Sequence, residues 1–216
     1  HLDRDGDDEL AGDSGHRSTL VAGADVNLSS AAVVGISAGS VSNHDRFADA
    51  AGSDIKGDGW QVGAYGVYDP GAFFVKALGT YSRLDGTAHR HLDFGASPGT
   101  ITGNPDATVW TLGLHGGYRL QLSPANLVTP FVSYDYTDAK LDGFTEAGTT
   151  GAELTVHGGS EKHSWLTGGV KWTGQFGGII PEASVAWRHA FGDRRASFNA
   201  NFAGSPTTSD FDIVSM

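Results

Sequence analysis

Four groupings in this chain have the residue types that chemistry needs. Gly35-Ile36-Ser37-Ala38-Gly39 fits G-x-S-x-G, the nucleophile elbow, which works only at a sharp strand-to-helix turn that lifts the serine above an oxyanion hole. Ser37 instead sits inside an alternating stretch with no helix-forming segment behind it, so a small inward-facing side chain is expected there. His89 and His91, two apart, share a face of any extended segment and could bind a metal. No third ligand is nearby, so an exposed pair beside a long loop is expected. His189 and Asp193 are suggestive singly and unsupported jointly. Asp3, Asp5, Asp7 and Glu9 have a calcium-like spacing, but the glycine falls in the wrong place for an EF-hand loop. A solvated acidic loop is the expectation. No catalytic residue, cofactor site or metal site is assigned, because no constellation is assembled.

The elements that would position any site follow from period-2 alternation. Thr108 to Leu122 reads TVWTLGLHGGYRLQL. One parity carries Trp110, Leu112, Leu114, Tyr118, Leu120 and Leu122, and the other carries Thr111, His115, Arg119 and Gln121. Successive side chains on a strand point to opposite faces, so this stretch has one apolar and one polar face. It is longer than the ~5–6 residues usual in soluble sheets. Apolar outward, polar inward and aromatics near both ends is the pattern of a tilted transmembrane strand.

The same alternation recurs at Leu20–Leu28, Ala32–Gly39, Trp60–Tyr68, Phe73–Arg83, Val128–Thr137, Leu166–Gln175 and Ile179–Arg188. The connections between strands alternate short (29–31, 69–71, 123–126, 176–178) and long (40–59, 84–107, 138–162). An up-and-down outer-membrane barrel gives that rhythm, with tight turns at one end and long loops at the other. No helix is available to cover so continuous an apolar face, which in water would be a very large exposed patch. The mean hydropathy of −0.22 is compatible with a barrel, because alternation averages a lipid face against a lumen face. Gly is abundant at 32 residues and Cys is absent, so thiol chemistry and disulfides are excluded. The net charge of −11 argues against nucleic acid and against anionic headgroups as partners.

Four stretches carry a family resemblance: Gly59-Trp60-Gln61-Val62-Gly63-Ala64-Tyr65-Gly66, Pro130-Phe131-Val132-Ser133-Tyr134, Asp142-Gly143-Phe144-Thr145-Glu146-Ala147-Gly148 and Val185-Ala186-Trp187-Arg188-His189-Ala190-Phe191-Gly192-Asp193. From about residue 17 to 216 the chain resembles the β-barrel translocator domain of bacterial autotransporters. That resemblance implies an all-β, antiparallel up-and-down transmembrane barrel of twelve strands in the outer membrane, about eight of them present here. It also implies export of an N-terminal passenger by type V secretion. The implied partners are outer-membrane lipid, the passenger and its linker, and the barrel assembly machinery. On this reading 1–16 is an extracellular loop and 17–193 holds the barrel strands and loops. Residues 194–216 are an extracellular loop or hairpin extension leading to further strands. The family's first strand and last three strands are expected outside 1–216, and these residues alone are expected not to close into a barrel.

The inward parity supplies lumen-facing candidates: Asp25, Gln61, Lys76, His115, Arg119, Gln121, Asp135, Lys171, Gln175, Glu182 and Arg188. The outward parity supplies lipid-facing aromatic girdle candidates: Trp60, Tyr68, Trp110, Tyr118, Tyr134, Trp172 and Trp187. The rival readings are an outer-membrane barrel enzyme of lipase or protease type, and a soluble ligand-binding β-barrel. The soluble barrel would need the reverse arrangement, apolar inside and polar outside.

Overall fold

Each alternating stretch of the sequence becomes one long antiparallel strand. The computed structural model describes residues 2–4, 13–47, 52–92, 99–192, 195–204 and 209–214. The eight long strands are β2 (Asp13–Ser29), β3 (Ala32–Phe47), β4 (Asp54–Tyr68), β5 (Phe73–Leu92), β7 (Ala107–Tyr118), β9 (Asn126–Leu141), β12 (Gly159–Gly174) and β13 (Glu182–Gly192). Shorter strands complete the order: β1 (Leu2–Arg4), β6 (Gly99–Gly103), β8 (Leu120–Ser123), β10 (Phe144–Thr145), β11 (Leu154–Val156), β14 (Arg195–Phe202) and β15 (Ser209–Val214). The long strands pair strictly with their sequence neighbours, in the up-and-down order expected of a barrel wall.

Register decides what the alternation builds. Val26, Val34, Gly66, Ala77, Leu114, Tyr134, Leu166 and His189 form one continuous row across all eight long strands. Paired residues share a face, so the apolar parities merge into one surface. That surface is not a core. Among the described residues Phe74, Ile101, Val156 and Ala200 are the buried hydrophobics, whereas Leu20 is 74% exposed, Ile36 68% and Val185 73%. Aromatics cluster at two levels on it. Tyr81 packs against Trp60 at 5.4 Å and Trp110 at 4.6 Å, and Tyr68 packs edge-on to Phe73 at 5.7 Å. Trp60 and Tyr68 lie eight residues apart on β4, about 26 Å of strand at ~3.3 Å per residue. That length suits an apolar band ~25 Å tall flanked by aromatics.

The structure corrects the expected connections. The polar stretches 40–59 and 84–107 are not loops throughout, because β3 runs on to Phe47, β4 starts at Asp54 and β5 reaches Leu92. Beyond the apolar band both parities carry polar residues, so alternation fades while the backbone ladder continues. Part of 1–16 is likewise paired, with Leu2–Arg4 laid along Asp13–Gly15. The stretch Thr108–Leu122 is interrupted at Arg119, whose N–H donates to Ala72 O at 2.7 Å. β8 resumes the same register on β9.

The described residues also form a second, separate sheet, β10-β11-β14-β15. β10 and β11 prolong the β9–β12 hairpin beyond Gly143 and Gly158, where the two chains come so close that a side chain on either glycine would strike backbone.

Candidate functional site

The polar parity forms the opposite face, and register again gathers it into rows. Asp25, Gly35, Tyr65, Leu78, Gly113, Asp135, Trp165 and Ala190 align across eight strands. Tyr65 lies across Gly35, where only a missing side chain leaves room, and donates its hydroxyl to Asp25 Oδ2 at 2.7 Å. The neighbouring row carries Lys76, His115, Ser133, Thr167 and Arg188. Gln61 lies on the same face, paired with Gly39 and Ser82.

The polar face is most structured near the short turns. Asp69-Pro70-Gly71 turns with Gly71 at φ +106°, and the Gly71 N–H donates to Asp69 Oδ1 at 3.1 Å. That bond presents both carboxylate oxygens to Arg119, which donates to them at 2.5 and 2.8 Å and to Gly71 O at 2.8 Å. The Arg119 guanidinium also stands over the Phe74 ring at 5.1 Å. His115 is held edge-on between Phe74 at 5.2 Å and Phe131 at 5.6 Å. Lys171 reaches Glu182 across β12–β13 at 2.7 Å. Phe74, His115, Arg119, Phe131, Lys171 and Glu182 border a recess of about 550 Å³. Gln121 is turned toward the turn, donating to Ser123 O at 2.5 Å. Gln175 lies past the end of β12, its N–H on Ala125 O at 2.8 Å, and so belongs to the connection rather than the ladder.

The Arg119 hydrogen bonds hold the Asp69 carboxyl at about 2, helped by the Gly71 N–H and opposed by partial burial. A carboxylate depressed from its ordinary ~3.9 contributes stability that is fully present above that value and is lost as pH falls through the folded pKa. The window is therefore about pH 4 down to about pH 2. Asp69→Asn is expected to lower the thermal midpoint of the folded barrel at pH 6, with the gap to wild type closing near pH 2. A gap that is constant across that range would refute the stabilising role of the Arg119–Asp69 pair.

All seven girdle candidates lie on the apolar parity. Trp60, Tyr68, Trp110, Tyr118, Tyr134, Trp172 and Trp187 each pair along rows shared with Val62, Val75, Leu112, Leu114 or their neighbours. Sequence reasoning missed Phe74 and Phe131 as parts of the polar face. Both sit on the inward parity, but their partner glycines on adjacent strands emerge only once register is known.

Among the described residues the chemical groupings do not assemble. Ser37 is mid-strand between Gly23 and Gly63, with no turn at its position. His89 Nδ1 and His44 Nε2 each approach one oxygen of Asp54 at 3.3 Å, and the His91 main-chain N–H donates to Ser53 Oγ at 3.2 Å. His189 stacks on Trp187 at 5.3 Å. Asp193, Asp5, Asp7 and Glu9 lie outside the described residues. Among the described residues no group of three His, Asp or Glu could hold a metal ion.

The autotransporter β-domain family model matches residues 1–216. The chain belongs to that family. This autotransporter β-domain is accordingly an outer-membrane translocator domain of the type V secretion class. It superimposes on the translocator domain of autotransporter NalP from Neisseria meningitidis with a TM-score of 0.64 at 16% identity, covering 94% of this chain and 75% of that one. The β-domain of the Bordetella autotransporter BrkA gives 0.51 at 17% identity, covering 89% and 81%. In sequence the β-domain is 25% identical over 210 residues to an uncharacterised protein from the trpE-trpG intergenic region of Pseudomonas putida. It is 27% identical over 157 residues to the esterase EstA of Pseudomonas aeruginosa. The matches span 35% and 24% of those relatives' lengths.

Proposed function

We propose that the polar face of this translocator lines the lumen through which the passenger leaves, and that the apolar face meets outer-membrane lipid. The observation that carries the reading is the merger of eight apolar parities into one exposed surface whose central rows, from Leu112 to Tyr118, hold no Asp, Glu, Lys or Arg, while Asp25, Lys76, Asp135 and Arg188 stand on the opposite face at those levels. Charges facing a lumen stay hydrated or pair across strands, as Arg119 with Asp69 and Lys171 with Glu182. The β-domain itself performs no catalysis, and the esterase name of one relative describes that protein. Outer-membrane lipid, the passenger with its linker, and the barrel assembly machinery are the partners of this reading.

Cells producing the full-length protein test it. External protease is expected to remove the passenger when the barrel strands are present. Deleting residues 17–193 is expected to leave the passenger protected in the periplasm. A passenger equally accessible without those strands would overturn the translocator role.

A further inference from the structure

The extended hairpin β10–β11 does not stand straight up from the wall. On β5 the even positions continue the lumen-facing parity of Lys76 without a register break up to Arg90, and Arg90 pairs with Ile101 on β6. That inward side is covered by the hairpin tip. Arg90 donates to both oxygens of Glu146, at 3.2 and 2.5 Å, and to Ala152 O at 2.9 Å. Glu146 also accepts from the Leu154 N–H at 2.8 Å and is only 10% exposed. Thr150 fills the space a side chain at Gly99 would need, Phe144 does the same at Gly103 (2.6 Å), and Ile101 is fully buried. The Thr150 hydroxyl and N–H both donate to Glu153, closing the tip on itself.

Taking the polar face as the lumen wall, which is the reading above, we infer that residues 146–153 form a strap. It is tucked inside the extracellular mouth of the barrel, pinned by the Arg90–Glu146 pair, and displaced while the passenger passes. A well-solvated loop would not be expected to bring a carboxylate down to one-tenth exposure against a bidentate arginine. Such a pair fixes one geometry, and removing either partner strands a charge that has lost its water.

Residues 1–216 contain no cysteine, so within them an introduced pair can form only one disulfide. A β-carbon at Gly99 would lie 3.6 Å from the Thr150 β-carbon, inside the usual disulfide range of ~3.5–4.5 Å. In the full-length protein, Gly99→Cys with Thr150→Cys is expected to cut passenger surface display several-fold when oxidised, with recovery under reductant. Arg90→Met, which frees the strap, is expected to raise single-channel conductance of the purified full-length protein. Display that is insensitive to redox while gel mobility shows the disulfide formed would overturn the strap, as would wild-type conductance in Arg90→Met. If Trp110 in the same protein were shielded from lipid, the face assignment would fail first, so the two failures are distinguishable.

Discussion

Leu114→Arg is expected to abolish most of the folded, heat-modifiable species, whereas Arg119→Leu is expected to keep it. Leu114 is in the middle of the apolar row, between Ala77 and Tyr134. A cation there has no water and no anionic partner on its own face. An arginine facing lipid near the bilayer midplane costs about 2–4 kcal/mol, a large share of the roughly 5–15 kcal/mol that holds a domain folded. Arg119 is on the other face, and its loss removes a partly exposed ion pair with Asp69, a kind of contact worth about 0–1 kcal/mol. Gel mobility before and after heating compares the two directly. Equal loss of the folded band in both variants would contradict a wall with two unlike faces.

Gly169→Val is expected to be the next most damaging change. Three aromatic rings on the polar face each cover a glycine of the neighbouring strand: Tyr65 on Gly35, Phe74 on Gly117 and Phe131 on Gly169. At Gly169 an added β-carbon would stand 2.6 Å from Phe131 Cζ, 2.6 Å from the Val185 carbonyl oxygen and 2.9 Å from the Ala186 β-carbon. The ring could swing aside, but the carbonyl belongs to the β12–β13 ladder and cannot move without breaking pairs. Overpacking of this kind costs about 1–3 kcal/mol. Gly168→Ala is the control, since nothing lies within 4 Å of a β-carbon there. A thermal midpoint lowered by Gly169→Val and unmoved by Gly168→Ala is the expected pattern. Equal midpoints would show that the ring-over-glycine contacts are incidental.

The fold was legible wherever one face of a strand is apolar. Trp110 to Tyr118 and Trp60 to Tyr68 announce their strands because one apolar and one polar face impose period 2. Asn43, His44, Asp58 and Asp85 announce nothing, although they sit in equally regular ladders, because polar residues on both parities leave no pattern. The polar-face candidates were legible by parity, and Asp25, Lys76, His115 and Arg188 fall into two adjacent rows. What they bond to was not legible. Arg119 finds Asp69, fifty residues away in another turn, and Arg90 finds Glu146 through a hairpin whose Ala147 pairs with Thr102. Both depend on register and on non-local pairing, and neither is a property of local sequence.

Four of the five tryptophans, Trp60, Trp110, Trp172 and Trp187, lie on the apolar face, while Trp165 is on the polar face, paired with Asp135 and Ala190. Single-tryptophan variants of the full-length protein in bilayers of brominated lipid therefore read the two faces directly. Trp110 alone is expected to be strongly quenched by the lipid bromines, where amphipathic rings meet the membrane boundary. Trp165 alone is expected to escape the lipid and to be quenched by aqueous iodide. Lipid quenching of Trp165 with shielding of Trp110 would contradict the assignment of lumen and lipid faces on which the account rests.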